Sequence, residues 1–385
     1  MMAYSACDMT GAQSVGGRPL FVTVGENPAR AFGMSATDRA RALAAKAGLE
    51  PADAAEPGRA TVYADIAWAW DPEWVAALAK TPGEMLTKDG HPILVHVPAD
   101  GDPAAVLAAM ASGAPYEGDA FDTIDAETAD FSYQNLRKRD RPFVMRLDAA
   151  NADAVERAAY DASYKGVTDV LTLYLWRKPA FYLTRWAAEA GLSPNAVTAV
   201  GAALCVAAFF LFYSGWYWTG IAAGFAFMVL DTVDGKLARC TGQSSHWGNI
   251  FDHGVDLIHP PFWWWAWAEG LDAYGRPFER VYELLVVGAI VAGYVAQRVI
   301  EGIFVRRYGM HIHVWWPIDS RFRLITARRN PNMVILVVAL LFGRPDVGIE
   351  LVALWTILSL IFHAVRLAQA NARRDRGQPV VSWLA

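Results

Sequence analysis

Between residues 195 and 370 the chain runs through long apolar stretches separated only by short polar breaks. In hydrocarbon every backbone N–H and C=O has to find its partner within the segment, so an isolated apolar run can cross only as a helix. Such a helix needs about 20 mostly apolar residues. Six segments approach that requirement, at about 196–214, 217–239, 246–269, 281–304, 332–345 and 348–369. The fifth is short, because Gly343-Arg344-Pro345 interrupts it after a compact apolar run. Residues 1–165, in contrast, carry charges and alanine throughout, so the 54% hydrophobic average hides two unlike halves. The expected fold class is an α-helical membrane protein with six transmembrane helices and an N-terminal soluble α/β domain.

The basic residues of the second half gather at the edges of the apolar runs. Arg177, Lys178 and Arg185 precede the first; Arg306, Arg307, Arg321, Arg323, Arg328 and Arg329 fall between later ones; Arg373, Arg374 and Arg376 follow the last. Flanking clusters of this kind mark cytoplasmic loops. An even number of spans places both termini on that side. The N-terminus has no basic start followed by an apolar core, so no signal peptide is expected and the first half is expected to stay in the cytoplasm. The chain is expected to be a multi-pass protein of the inner (cytoplasmic) membrane. A net charge of −5 without a basic stripe argues against a nucleic-acid partner. Cys7, Cys205 and Cys240 form no CxxC pair, which argues against a disulfide framework or structural zinc.

Within the first half, 20–24, 60–66, 93–97 and 143–147 read as strands, and 35–48, 72–79 and 103–110 as helices. Their alternation indicates a small α/β domain over residues 1–150. The first 18 residues, small and polar, read as irregular. Residues 151–192 read as a long or broken helical linker in which Trp176, Phe181, Tyr182 and Trp186 mix with Arg177, Lys178 and Arg185. That is the composition of a helix lying in the membrane interface, the alternative being a linker helix packed on the soluble domain. The membrane domain then spans 193–372. The aromatic run Phe262-Trp263-Trp264-Trp265 reads as an anchor at the lipid headgroups.

Chemistry concentrates in Asp231-Thr-Val-Asp234-Gly235-Lys-Leu-Ala238-Arg239, eight intervening residues, and Gly248-Asn-Ile-Phe-Asp252-His-Gly-Val-Asp256. Residues three and four apart share a helix face. Asp231, Asp234, Gly235 and Ala238 therefore line one face of the second span, and Gly248, Asp252 and Asp256 one face of the third. A short loop between antiparallel helices can aim all four carboxylates at one another. Each carboxylate at the bilayer centre costs roughly 2.5–3.5 kcal/mol, and neighbouring carboxylates repel. A divalent cation resolves both problems, and Mg²⁺ in particular favours carboxylate oxygens together with substrate phosphates. The small residues leave room for a bulky ligand. The competing structural reading is buried ion pairing near a helix end.

The pattern resembles the signature of the CDP-alcohol phosphatidyltransferase family, D-x₂-D-G-x₂-A-R-x₈-G-x₃-D-x₃-D, matched at all eight specified positions over a domain of roughly residues 190–370. The resemblance implies a six-helix membrane fold, usually a homodimer, with an active site open to the cytoplasm. It implies a metal site of Asp231, Asp234, Asp252 and Asp256 that holds Mg²⁺ or Mn²⁺ on a CDP diphosphate, with Asp256 also the general base toward the acceptor hydroxyl. It assigns Gly235, Ala238, Arg239 and Gly248, with Asp234, to the CDP moiety. Asn195 and Thr198, in the P-N-x-x-T segment that opens the first span, look like further nucleotide contacts, although Pro near a helix start is also an ordinary entry signal. The expected partners are a CDP-linked donor (CDP-diacylglycerol or a CDP-alcohol), an alcohol or polyol phosphate acceptor, and membrane lipid. The expected products are CMP and a phosphodiester of the phospholipid or inositol type.

Arg321, Arg323, Arg328 and Arg329 are candidate acceptor-binding residues, since guanidinium forks suit phosphate; lipid headgroups are an alternative ligand. His311 and His313 read as polar interfacial residues. The N-terminal domain resembles a degenerate nucleotidyltransferase, as in the bifunctional di-myo-inositol-phosphate-phosphate synthase-type enzymes. Where those carry a Gly-rich basic loop, this chain has Val24-Gly25-Glu26-Asn27-Pro28-Ala29-Arg30, so the domain is expected to be inactive. Two other readings are an aspartate-rich prenyltransferase, against which the D-G-x₂-A-R core stands, and a membrane scaffold with a regulatory soluble domain, which has no need of four intramembrane acids.

Overall fold

The computed structural model describes residues 17–129, 141–164, 166–243 and 246–384, without the side chains of 246, 247 and 249–253. The expectation for the first 18 residues therefore falls almost wholly outside it, as does the placement of the Asp252 carboxylate. The chain divides into two compact units, one built mainly from residues up to Ala162 and the other from Ser163 onward.

The first unit contains strands β1 (Leu20–Val24), β2 (Arg30–Ala31), β3 (Met34–Ser35), β4 (Glu50–Ala52), β5 (Thr61–Asp65), β6 (Trp68–Trp70), β7 (Glu84–Lys88), β8 (His91–Val97), β9 (Asp122–Asp125) and β10 (Val144–Arg146). Its helices are α1 (Ala36–Lys46), α2 (Pro72–Leu78), α3 (Ala104–Ser112) and α4 (Ala152–Ala162). The main sheet runs β4-β1-β5-β8-β7-β9. It is mixed, with β1 parallel to both β4 and β5 and β8 antiparallel to β5 and β7. β5 and β8 are buried on both faces, which is why they read as continuous apolar runs rather than alternating ones. The strand expected at 143–147 exists as β10 but pairs with β6, outside the main sheet. α4 packs against β2, and just beyond that strand the Phe32 N–H donates to the Glu156 carboxylate at 2.6 Å.

The second unit is helical, with a short π-helical turn at Leu171–Leu175 followed by α5 (Arg177–Glu189), α6 (Pro194–Tyr213), α7 (Tyr217–Thr241), α8 (His246–Tyr274) and α9 (Arg280–Tyr308). Three more complete it: α10 (Pro317–Arg323), α11 (Arg329–Leu341) and α12 (Pro345–Asp375). Each expected apolar segment is thus a helix. α6, α9 and α12 are long and apolar enough to cross a membrane, and α11 is a shorter apolar helix. Apolar side chains such as Phe210, Leu285 and Leu354 point outward from these helices, as on a surface that meets lipid.

Helical period decides which aromatics form the core. Trp263, Trp264 and Trp267 share one face of α8 and are fully buried. The Trp263 indole donates to the Cys205 carbonyl and the Trp267 indole to that of Pro345. This corrects the headgroup-anchor reading of the aromatic run: only Phe262 and Trp265 of it are exposed. Pro261 within α8 cannot donate to the Leu257 carbonyl. The Tyr294 hydroxyl of α9 donates to that carbonyl instead, at 3.0 Å, so helix continuity is restored from a neighbour.

Candidate active site

α7 begins apolar and ends polar. Phe227, Val233 and Leu237 face the core, while Asp231, Thr232, Gly235, Lys236 and Arg239 line a cavity of about 520 Å³. α8 contributes Asp256 and Pro260 to the same cavity. Asp231 and Asp256 converge on one point, marked by the guanidinium of Arg329. Its Nη2 donates to Asp231 Oδ2 and its Nη1 to Asp256 Oδ1, each at 2.7 Å. Asp234, buried, accepts from the Thr198 hydroxyl of α6 at 2.6 Å. Asp231 and Asp256 are therefore brought together in the cavity, Asp234 and Thr198 pair with each other without lining it, and Asp252 belongs to the same stretch of α8.

These residues fit a hard divalent cation. The donors are carboxylate oxygens from two helices, and two of them already converge on one cationic group. Another trio, Glu301, His313 and His363, also offers ligand atoms that lie within 4.8 Å of one another. Glu301 there is already engaged by two guanidinia, from Arg328 at 2.6 Å and Arg298 at 3.1 Å. A dication in that place would face two fixed positive charges on a single carboxylate, whereas at the aspartates one guanidinium, that of Arg329, is shared by two.

The cavity wall also carries several guanidinia. Arg298 of α9, Arg323 of α10 and Arg328 at the start of α11 line it beside Arg329. Arg298 Nε, Arg328 Nε and Arg323 Nη1 are buried and have no hydrogen-bond partner among the described residues. Burial, with the Arg328 charge, pushes the Arg323 guanidinium below its usual range. Buried donors left unmade are expensive, and an anionic oxygen would satisfy them. The site thus combines carboxylates from two helices with guanidinium donors that seek an anion.

Other candidates fall elsewhere. Arg321 and Asn195 are exposed and do not line the cavity, nor do Ala238 and Gly248. Gly235 does line it, and a Cβ there would come within 3.1 Å of Arg239 Nη2, so glycine leaves that guanidinium its place. His313 corrects the interfacial reading: it is buried, 3.3 Å from Glu301, and burial holds its imidazole well below the usual range. Arg298, Glu301, Asp169 and Asn330 were not singled out from sequence. The signal for the first two was present, since an Arg and a Glu three apart inside an apolar span are costly unless they serve something.

Residues 192–327 match the family model described as CDP-alcohol phosphatidyltransferase. The chain is 27% identical over 205 residues to archaetidylinositol phosphate synthase of Pyrococcus horikoshii, covering 52% of this chain and 95% of that one. It is 32% identical over 112 residues to phosphatidylinositol phosphate synthase of Mycolicibacterium smegmatis, covering 26% of this chain and 50% of that one. Cholinephosphotransferase 1 of Danio rerio is 29% identical over 127 residues, 30% of this chain and 32% of its own. The chain thus spans nearly all of the archaeal relative, and half or less of the other two.

Proposed function

With a CDP-alcohol phosphatidyltransferase domain at residues 192–327 as the premise, we propose that the protein transfers a substituted phosphate from a CDP-linked donor to the hydroxyl of a phosphorylated polyol, releasing CMP. The observation that carries this reading is one cavity lined both by convergent aspartates and by unsatisfied guanidinium donors. The names of two relatives, archaetidylinositol phosphate synthase and phosphatidylinositol phosphate synthase, favour an inositol phosphate as acceptor.

In this reading the acceptor oxygen attacks the donor phosphorus that carries the alcohol. The bond from that phosphorus to the bridging oxygen breaks, and CMP leaves with the electron pair. Asp256, its Oδ1 oriented by Arg329, takes the proton from the attacking hydroxyl. Asp231, Asp234 and Asp252 would hold Mg²⁺ or Mn²⁺, which supplies neutralisation of the diphosphate charge. Thr198 fixes the Asp234 carboxylate by hydrogen bond. Gly235 and Arg239 offer space and charge to the donor, and Arg298, Arg323 and Arg328 bind the acceptor phosphate.

Six helices, α6–α9, α11 and α12, cross the membrane, with the site open to the cytoplasm and the protein in the inner membrane as a homodimer. α5 lies in the interface, its exposed Tyr182 and Trp186 at headgroup level. The soluble domain, nucleotidyltransferase-like in origin, is not catalytic.

The test is CMP release by protein in nanodiscs, with CDP-diacylglycerol and soluble CDP-alcohols offered against phosphorylated and unphosphorylated acceptors. Removing one charged hydrogen bond costs about 1.5–3 kcal/mol. Arg323→Ala is therefore expected to raise KM for the phosphorylated acceptor roughly 10- to 100-fold, at about tenfold per 1.4 kcal/mol. Equal use of the unphosphorylated alcohol, or an unchanged KM in the variant, overturns the acceptor assignment.

A further inference from the structure

A chain of hydrogen bonds runs from a residue upstream of the family-matched segment into the aspartate site. Asp169 lies just before the Leu171–Leu175 turn, lines the cavity and is buried. One of its oxygens, Oδ1, accepts from the Thr172 N–H at 3.0 Å and from Asn330 Nδ2 at 2.9 Å; the other, Oδ2, accepts from the Thr172 hydroxyl at 2.8 Å. The Asn330 amide oxygen in turn accepts from Arg329 Nε at 3.1 Å. Arg329 then spends its two terminal nitrogens on Asp256 and Asp231. The segment itself is tied down by the Val170 N–H, which donates to the Leu324 carbonyl at 3.0 Å.

Each link fixes the next. An ionised carboxylate can only accept, so it turns the Asn330 amide nitrogen toward itself. The amide oxygen must then face the other way, toward Arg329 Nε. A planar guanidinium held at Nε has its two outer nitrogens aimed in set directions, one at each carboxylate. With the amide reversed, its NH₂ group would oppose the Arg329 Nε–H, donor against donor.

We propose that Asp169 is a positioning residue for the transfer reaction, acting through Asn330 to set the guanidinium of Arg329 and with it the orientation of Asp256. Asp169 touches no reacting atom in this scheme. The proposal rests on the functional reading above for its kinetic consequences, and on the hydrogen-bond geometry alone for its structural ones. It also assigns part of the site to a segment outside residues 192–327.

The experiment is a double-mutant cycle on the full chain in nanodiscs, pairing Asp169→Ala with Arg329→Lys, since lysine has no Nε fork for Asn330 to steer. Misorientation of a catalytic group lowers kcat, here by about tenfold for Asp169→Ala, with donor KM changed by less than about twofold. Asp169→Asn keeps an oxygen acceptor and recovers part of the loss; it also carries the test if the alanine variant does not fold. In the Arg329→Lys background, Asp169→Ala should cost less than about twofold more, since the two act as one unit. The same loss in both backgrounds, or a raised KM at constant kcat, overturns the proposal. If the wild type releases no CMP from any donor, the functional reading fails instead, and the relay is judged on melting temperatures of the same four proteins. Non-additive shifts there sustain it, and additive shifts sink it.

Discussion

Arg329 sits where two helices present a carboxylate each, so its position reports where positive charge is wanted. Glu301 plays the complementary part for two arginines of the cavity: it pairs with Arg298 and Arg328 and contacts His313. Glu301→Gln removes the counter-charge while keeping the shape. The guanidinia then repel and lose their shared anchor, at roughly 1–3 kcal/mol for a buried charged pair partner. The expected outcome is a rise of about tenfold or more in KM for the phosphorylated acceptor, with kcat within about threefold. A fall in kcat at constant KM would place Glu301 on the chemical step instead. Asp231, Asp234 and Asp256 were legible from sequence because helical spacing puts them on shared faces and nothing apolar explains them. Glu301 and Arg298 were not, because a span is read by its average, and two charges barely lower the average of a 29-residue helix. His313 was misread because a short 3₁₀ turn, not a periodic element, buries it.

Among the elements, α6 and α8 meet backbone to backbone. A Cβ on Gly270 would stand 1.9 Å from the Phe212 carbonyl oxygen, and one on Gly215 would stand 2.8 Å from the Gly270 carbonyl oxygen. No rotamer relieves such a contact, because backbone has to move. Gly270→Ala is expected to destabilise by about 1–3 kcal/mol, the usual range for overpacking, seen as a melting temperature lowered by several degrees in detergent. An unchanged melting temperature would contradict the tight α6–α8 packing. The helices α6–α9, α11 and α12 were legible, since a long apolar run leaves its backbone few options other than a helix. The short strands β6, β7 and β9 were not, because β7 and β9 mix charged with apolar residues and three-residue β6 is too short for alternation to register. The sheet order was equally hidden, since pairing partners distant in sequence leave no local trace.

At the scale of the whole molecule, the open question is what the first unit does. Its sheet places the ends of β1 and β5 side by side, where open α/β sheets receive ligands. That place is filled from within. The Asn27 side chain donates to the carbonyls of Ile66 and Leu147 at 2.7 and 2.9 Å, and its oxygen accepts the Ala29 N–H. The Ala29 N–H, a donor that could otherwise meet a phosphate, is thereby committed within the loop. The full chain given CTP and a polyol phosphate with Mg²⁺ is expected to release no pyrophosphate, measured by a coupled phosphate assay. Steady release would make the protein bifunctional.

The central claim is metal-dependent phosphoryl transfer at the aspartates of α7 and α8. It is tested most directly by CMP release from a CDP-linked donor in nanodiscs, with and without Mg²⁺ or Mn²⁺, for the wild type and Asp256→Asn. The account predicts release that chelation abolishes and metal restores, and that falls by at least about 100-fold in the variant, the lower range for loss of a general base. CMP release that survives chelation, or that Asp256→Asn leaves intact, would contradict it.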